Sequence, residues 1–144
     1  MIKKIEVTID VIIHATEDLA KILQYFEELF QIKKEEFTIT ETKGHFENPI
    51  TLLNTKMEKK QAVRLMQNLL RLFSPDQIKE LVEEIDERTI DSRYHLRLDK
   101  QELIRGNLIT KNEKDAIKLK IHSPIYNKKD TVKIFTRIFH SQLD

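Results

Sequence analysis

The residues able to do chemistry in this 144-residue chain begin with five histidines: His14, His45, His95, His122 and His140. An imidazole binds metal or moves protons near neutral pH. None of the five stands in a HExxH or other paired-ligand spacing that zinc would need. His14, His95 and His122 take outward positions on three expected strands and would converge only if those strands were neighbours. Glu17-Asp18 has the composition of an acid/base or metal-binding pair. It follows Thr16, however, where a helix is expected to start and its dipole favours negative charge. Glu83, Glu84, Asp86 and Glu87 form an acidic run on the solvated side of a helix. With only 2 Gly there is no phosphate-cradling loop, and without cysteine there is no disulfide, thiolate metal site or cysteine nucleophile. The expectation is a protein that is not an enzyme, with no catalytic residue, no metal and no cofactor.

The basic residues say more. Arg97, Lys118 and Lys120, with His95 and His122, fall on the outward phase of two strands. Lysine and arginine on a sheet neutralise phosphates and release counterions, which makes affinity fall with salt. Overall charge is +1, but residues 1–92 hold 13 Lys/Arg against 18 Asp/Glu and residues 93–144 hold 12 against 6. A basic C-terminal third suits a polyanion. Glu6 and Asp10 oppose it locally on the first strand, and no aromatics interleave on that face. Contacts to phosphate, sugar and shape would therefore outweigh base stacking.

Hydrophobic periodicity supplies the elements that must position these groups. Lys4 to His14 alternates, with Ile5, Val7, Ile9, Val11 and Ile13 on one side, which is a strand with one buried face. Thr16 is the expected N-cap of a helix over 17–31 carrying Leu19, Ile22, Leu23, Phe26, Leu29 and Phe30. A strand around Phe37 and Ile39, a turn from Gly44 to Pro49 and a strand from Ile50 to Thr55 follow. A helix from Glu58 to Phe73 turns inward Ala62, Val63, Met66, Leu69, Leu70 and Phe73. Ser74-Pro75 restarts the chain as N-cap and first residue of a third helix, with Ile78, Leu81, Val82 and Ile85 on one stripe.

Beyond Asp91 the spacing predicts a strand through Tyr94, Leu96 and Leu98, a short helical piece at Lys100–Leu103 and a short strand near Leu108. Another strand runs from Ala116 to His122, and Asn127 caps a last helix reaching His140, with Val132, Phe135, Ile138 and Phe139 inward. The βα unit does not repeat, so a doubly wound parallel sheet is not expected. The expected fold is α+β: a largely antiparallel or mixed sheet of five to six strands with helices packed on one face, in one domain over residues 1–144. No apolar run approaches the roughly 20 residues that cross a bilayer, so no membrane partner is expected and the protein is read as cytoplasmic.

Gly44-His45-Phe46-Glu47-Asn48-Pro49-Ile50 is similar to a Gly-aromatic/His-x-Gly-Asn-Pro-Ile signature, with Glu47 where that pattern has glycine. Arg93-Tyr94-His95-Leu96-Arg97-Leu98-Asp99-Lys100-Gln101, followed by Gly106, is similar to an Arg-x-Asp-Lys-Gln signature. Together with His14-Ala15-Thr16-Glu17-Asp18 they resemble an archaeal family of predicted RNA-binding, exosome-associated proteins. The resemblance spans nearly the whole chain. It implies a fold like that of the ribosomal protein holding 5S rRNA, and a non-catalytic accessory factor in archaeal RNA processing or degradation. Its implied partner is structured RNA, such as ribosomal or exosome substrate RNA, beside protein partners in an RNA-processing complex. The RNA-binding candidates are Arg97, Lys100, Gln101, Lys118, Lys120, His45 and Asn48. Arg97 and Lys100 are expected to be exposed. Alternatively, Asn48-Pro49 merely sets a turn, and Asp99 caps a helical turn beside a solvated Lys100.

The rival reading is a protein-interaction or dimerisation module, its open sheet face or C-terminal helix meeting a partner chain or a second copy in a homodimer. A hydrolase or nuclease would need clustered carboxylates and a metal.

Overall fold

Strict alternation of β-branched residues produces β1, Glu6–His14, in which Val7, Ile9, Val11 and Ile13 are buried and their neighbours are not. The computed structural model describes residues 4–124 and 127–140. After β1 come α1 (Leu19–Phe30), β2 (Thr38–Lys43) and β3 (Pro49–Glu58). Then follow α2 (Lys59–Leu72), α3 (Pro75–Glu83), the single turn α4 (Ile85–Arg88), β4 (Thr89–Ile90) and β5 (Arg93–Leu98). The chain continues through α5 (Lys100–Leu103), β6 (Ile117–His122) and α6 (Lys128–His140). The strands form a six-stranded antiparallel sheet in the order β2-β3-β1-β6-β5-β4, so the α+β fold with a largely antiparallel sheet holds.

Contacts divide the chain into two compact units. One comprises residues 1–7, 57–96 and 120–144. In it α6 is laid against β5 by aromatic packing. The Tyr94 ring meets Phe135 at 5.6 Å and Phe139 at 4.9 Å between centroids. The Tyr94 hydroxyl, fully buried, donates to the Leu81 carbonyl of α3 at 2.9 Å. Burial is the main cause that pushes this phenol well above its ordinary value, Glu84 adding to it and Arg88 opposing. Ser74 begins α3 through a capping box with Gln77, as the Ser74-Pro75 pair predicts.

The other unit comprises residues 8–56 and 97–119. Here α1 contributes Ile22, Leu23, Phe26 and Phe30 to the core, and Phe26 meets Phe37 edge-on at 5.0 Å. β2 and β3 pair as a hairpin from Thr38↔Asn54 to Lys43↔Pro49.

Several local expectations change. Asp18, not Thr16, caps α1, accepting from the Lys21 amide at 3.1 Å. The third helix breaks after Glu83, and its acidic tail folds into α4 and β4. Asp91 (φ 51°) and Ser92 (φ 63°) then turn the chain from β4 into β5. Both hold the left-handed conformation that a tight hairpin requires. No strand forms near Leu108. Only the isolated bridge Leu98↔Thr110 survives there, with Leu108 buried beside it in sequence. Val63, Val82 and Val132 are half-buried, while Leu65 and Thr131 take core positions.

Candidate functional site

An antiparallel sheet brings the end of one strand beside the start of the next. In the unit of residues 8–56 and 97–119, β1 ends at His14, β5 ends just before Asp99, and β6 begins just after Asp115. Asp99 turns β5 into α5, its carboxylate accepting from the amides of Gln101 at 2.8 Å and Glu102 at 3.1 Å. Such a side-chain cap satisfies amides that the first turn leaves without partners. This cap aims the first residue of α5, Lys100, inward.

The expectation of an exposed Lys100 is therefore wrong, since the side chain is only 4% exposed. Its ammonium donates to the Ile12 carbonyl at 2.8 Å, to Glu17 Oε1 at 2.8 Å and to Asp115 Oδ1 at 2.6 Å. An ammonium has three donor hydrogens, and all are used. A buried charge is tolerable only when so paired, because desolvation otherwise costs more than folding can supply. Glu17 is likewise not a helix-start charge. Besides holding Lys100 it accepts from the His14 amide at 2.8 Å, and Gln101 Nε2 lies 3.5 Å from its other oxygen. His14 Nε2 reaches Asp115 Oδ1 at 3.3 Å, both side chains being about half exposed. Partial burial pulls the Asp115 carboxyl upward, but the hydrogen bond and charge of Lys100, then those of His14, outweigh it and hold the group below its ordinary value.

The Gly44–Ile50 stretch adjoins this cluster. The Gly44 amide donates to the Asn48 carbonyl at 2.7 Å and the Glu47 amide to the Gly44 carbonyl at 3.1 Å, closing a tight loop. A shallow groove of about 240 Å³ is lined by His14 and Glu17 on one side and by Glu41, Pro49 and Ile50 on the other. All three stretches singled out in the sequence thus meet at one place. His45 and Asn48 are exposed on the loop, and Gln101 is exposed beside Lys100.

The remaining basic candidates are less free than expected. Arg97 is half-buried and donates to the Glu113 carbonyl at 3.3 Å. Lys118 and Lys120 take the half-buried positions of β6, whose alternation is as predicted. Arg97 and Lys118 share the unit of the Lys100 cluster, whereas Lys120 belongs to the other unit. Lys111 stands near this edge, 3.8 Å from Asp99 and 3.5 Å from Glu113. Slight desolvation lowers its pKa, but the Asp99 and Glu113 carboxylates raise it further, so it stays charged. His14 falls in one unit and His95 and His122 in the other. Among the described residues no group of three or more His, Asp or Glu side chains could hold a metal ion.

Residue patterns alone do not reveal Asp115 or the pairing role of Glu17. Asp115 sits in a mixed charge run with no periodic signal, and only its neighbours in space give it a role. Phe46 carries a usable signal. An aromatic between turn residues belongs to no periodic apolar face. Phe46 is 83% exposed.

A family model described as RNA binding matches residues 6–123. An RNA-binding protein of Pyrococcus abyssi is 33% identical over 115 residues, covering 76% of this chain and 75% of its own. An uncharacterised protein of Methanocaldococcus jannaschii is 29% identical over 136 residues, covering 88% and 91%. Among solved structures, a DUF54 protein of Sulfolobus solfataricus superposes with a TM-score of 0.76 at 27% identity, covering 92% of this chain and 97% of that one. A DUF54 protein of Methanothermobacter thermautotrophicus, at 23% identity, shares the fold with a TM-score of 0.75 over 94% and 98%. Among the described residues no helix is long and apolar enough to cross a membrane. With its match running from the start of β1 to just beyond β6, the chain belongs to this RNA-binding family.

Proposed function

We propose that the chain binds structured RNA without cutting it, as a cytoplasmic accessory factor in archaeal RNA processing or degradation. A place beside the exosome and a likeness to the 5S rRNA-binding ribosomal protein remain part of this proposal, resting on the resemblance of the three stretches. The observation that carries the reading is that two of the stretches are tied together by one buried ammonium and the third shares a groove with its partner Glu17. Lys100 Nζ joins Glu17 and Asp115 at 2.8 and 2.6 Å, and Glu17 lines the groove shared with Pro49 and Ile50. Residues so far apart in sequence gain from a common location if they serve a common ligand.

In this reading Lys100 positions the site rather than touching phosphate. The contacts fall to His45, Asn48 and Gln101, which are exposed, with Arg97 and Lys118 supplying charge within the same unit. Lys120 would act as a separate phosphate contact.

Titration of a structured RNA at two salt concentrations tests this directly. Binding should weaken as salt rises, because phosphate contacts release counterions. His45→Ala with Asn48→Ala should weaken it at both concentrations. Absence of salt-sensitive binding would remove RNA as the ligand, and cleavage of the RNA by purified protein would overturn the non-catalytic reading.

A further inference from the structure

We propose that Phe46 is a stacking platform for one unpaired nucleobase, so that the RNA bound here carries a base outside a helix. The inference rests on the RNA-binding reading and names the class of substrate within it.

Phe46 is 83% exposed, whereas the next most exposed large apolar side chain among the described residues, Ile90, is at 58%. A phenyl ring left in water forfeits the burial that ordinarily places it. Its backbone is also unusual. Phe46 has φ 65° and Glu47 φ 61°. Both lie in the left-handed region that residues with a Cβ rarely adopt. Local strain of this kind persists where the surroundings over-determine it, and it gathers at ligand-binding positions. Here the two hydrogen bonds across the loop, Gly44 to Asn48 and Glu47 to Gly44, supply that determination. A Cβ on Gly44 would meet the Ile50 side chain at 3.4 Å, an ordinary contact, so the start of the turn lies against β3. The ring is therefore presented by a shaped turn and not by a loose tail.

The surroundings suit a base. The His45 ring lies 4.3 Å from the Phe46 ring at 72°. This edge-to-face contact braces the phenyl while most of its surface stays open. Every base has a π-face, and single-stranded or bulged bases are read by stacking on aromatics together with hydrogen bonds to their edges. Asn48, exposed two residues on, offers an amide with donors and an acceptor for such an edge. Lys43, exposed at the end of β2, stands where a neighbouring phosphate could be met. A second protein copy fits less well. One protruding ring amid Lys43, Glu47 and Asn48 is far below the apolar area that a stable interface buries.

The test uses two RNA duplexes of one sequence, one fully paired and one carrying a single-nucleotide bulge with 2-aminopurine at the bulge. The wild type should bind the bulged duplex more tightly and change the fluorescence of the bulged base. Phe46→Ala should lose roughly 5- to 150-fold in affinity for the bulged duplex, little for the paired one, and the fluorescence change with it. Phe46→Trp should restore both. The site is an exposed loop, so the variants should melt as the wild type does. An unaltered preference for the bulge in Phe46→Ala, or equal wild-type binding to both duplexes, overturns the stacking site while leaving RNA binding intact. A Phe46→Ala effect confined to self-association would overturn it in favour of a protein contact. If the wild type binds neither duplex, the RNA reading fails and this inference fails with it.

Discussion

Lys100 Nζ and Asp115 Oδ1 lie 2.6 Å apart across the gap between α5 and β6, although Lys100 is buried and Asp115 is half exposed. The pair works as a clasp, with the lysine end also bonded to Glu17 and to the β1 backbone. Lys100→Met keeps the aliphatic stem and removes the charge. Glu17, with a side chain only 13% exposed, is then left without its cation. We expect stability to fall by about 3–5 kcal/mol, read by urea denaturation. RNA affinity should fall too, yet its salt slope should be unchanged because every phosphate keeps its partner. A lowered slope would show that Lys100 meets phosphate after all.

Acid should open this clasp from the Asp115 side. Its carboxyl sits below the ordinary 3.8, so the folded state binds the proton less readily than the unfolded one. The stabilisation is complete above that ordinary value and is lost as pH falls below it toward the depressed folded value. With Asp115 half exposed the amount is small, in the range of a solvated pair at about 0–1 kcal/mol. Asp115→Asn should lose this part of the acid limb in a stability-versus-pH series while keeping the rest of the curve.

Arg97→Ala and Lys118→Ala together should lower the salt slope of RNA binding by roughly 0.7–0.9 for each phosphate no longer neutralised. Lys120→Ala, in the other unit, is measured separately. A control on the acidic α3–α4 region uses Glu80, Glu83 and Glu87, which are exposed, and spares Glu84, which pairs with Arg88. The triple Ala control should bind as well as the wild type or slightly more tightly.

Glu47, at φ 61°, is held in the left-handed region. Glycine adopts that conformation without steric penalty. Glu47→Gly should therefore stabilise the chain by up to about 1 kcal/mol, since the relieved strain exceeds the added unfolded-state entropy by a small margin. Thermal melts of the two proteins decide this. A clear drop in stability would mean that the Glu47 side chain contributes more than its backbone costs.

Tyr94→Phe removes one buried hydroxyl and leaves the Leu81 carbonyl without that donor. It should cost about 1 kcal/mol in urea denaturation. RNA affinity should not change, because the residue lies in the core of the unit that lacks the Lys100 cluster.

Much of this molecule was legible in the order of its residues. The alternation of Ile5 to Ile13, the helical stripe of Ile22, Leu23, Phe26 and Phe30, the Ser74-Pro75 restart and the Asp99 cap are short-range patterns. Local sterics and burial on one face suffice to specify them, and they yield an antiparallel α+β sheet. The motif stretches around His14, Gly44 and Asp99 were visible as well. Their meeting was not, because contact between residues 83 positions apart, such as Glu17 and Lys100, depends on strand order and carries no periodic trace. Burial of charge is the clearest case. A lysine following a capping aspartate is solvated wherever water can reach it, and nothing near Lys100 in sequence says otherwise. Only the packed ends of the central strands, which bury Lys100 and supply a carbonyl and two carboxylates, turn that side chain from a candidate phosphate ligand into the fastening of the site.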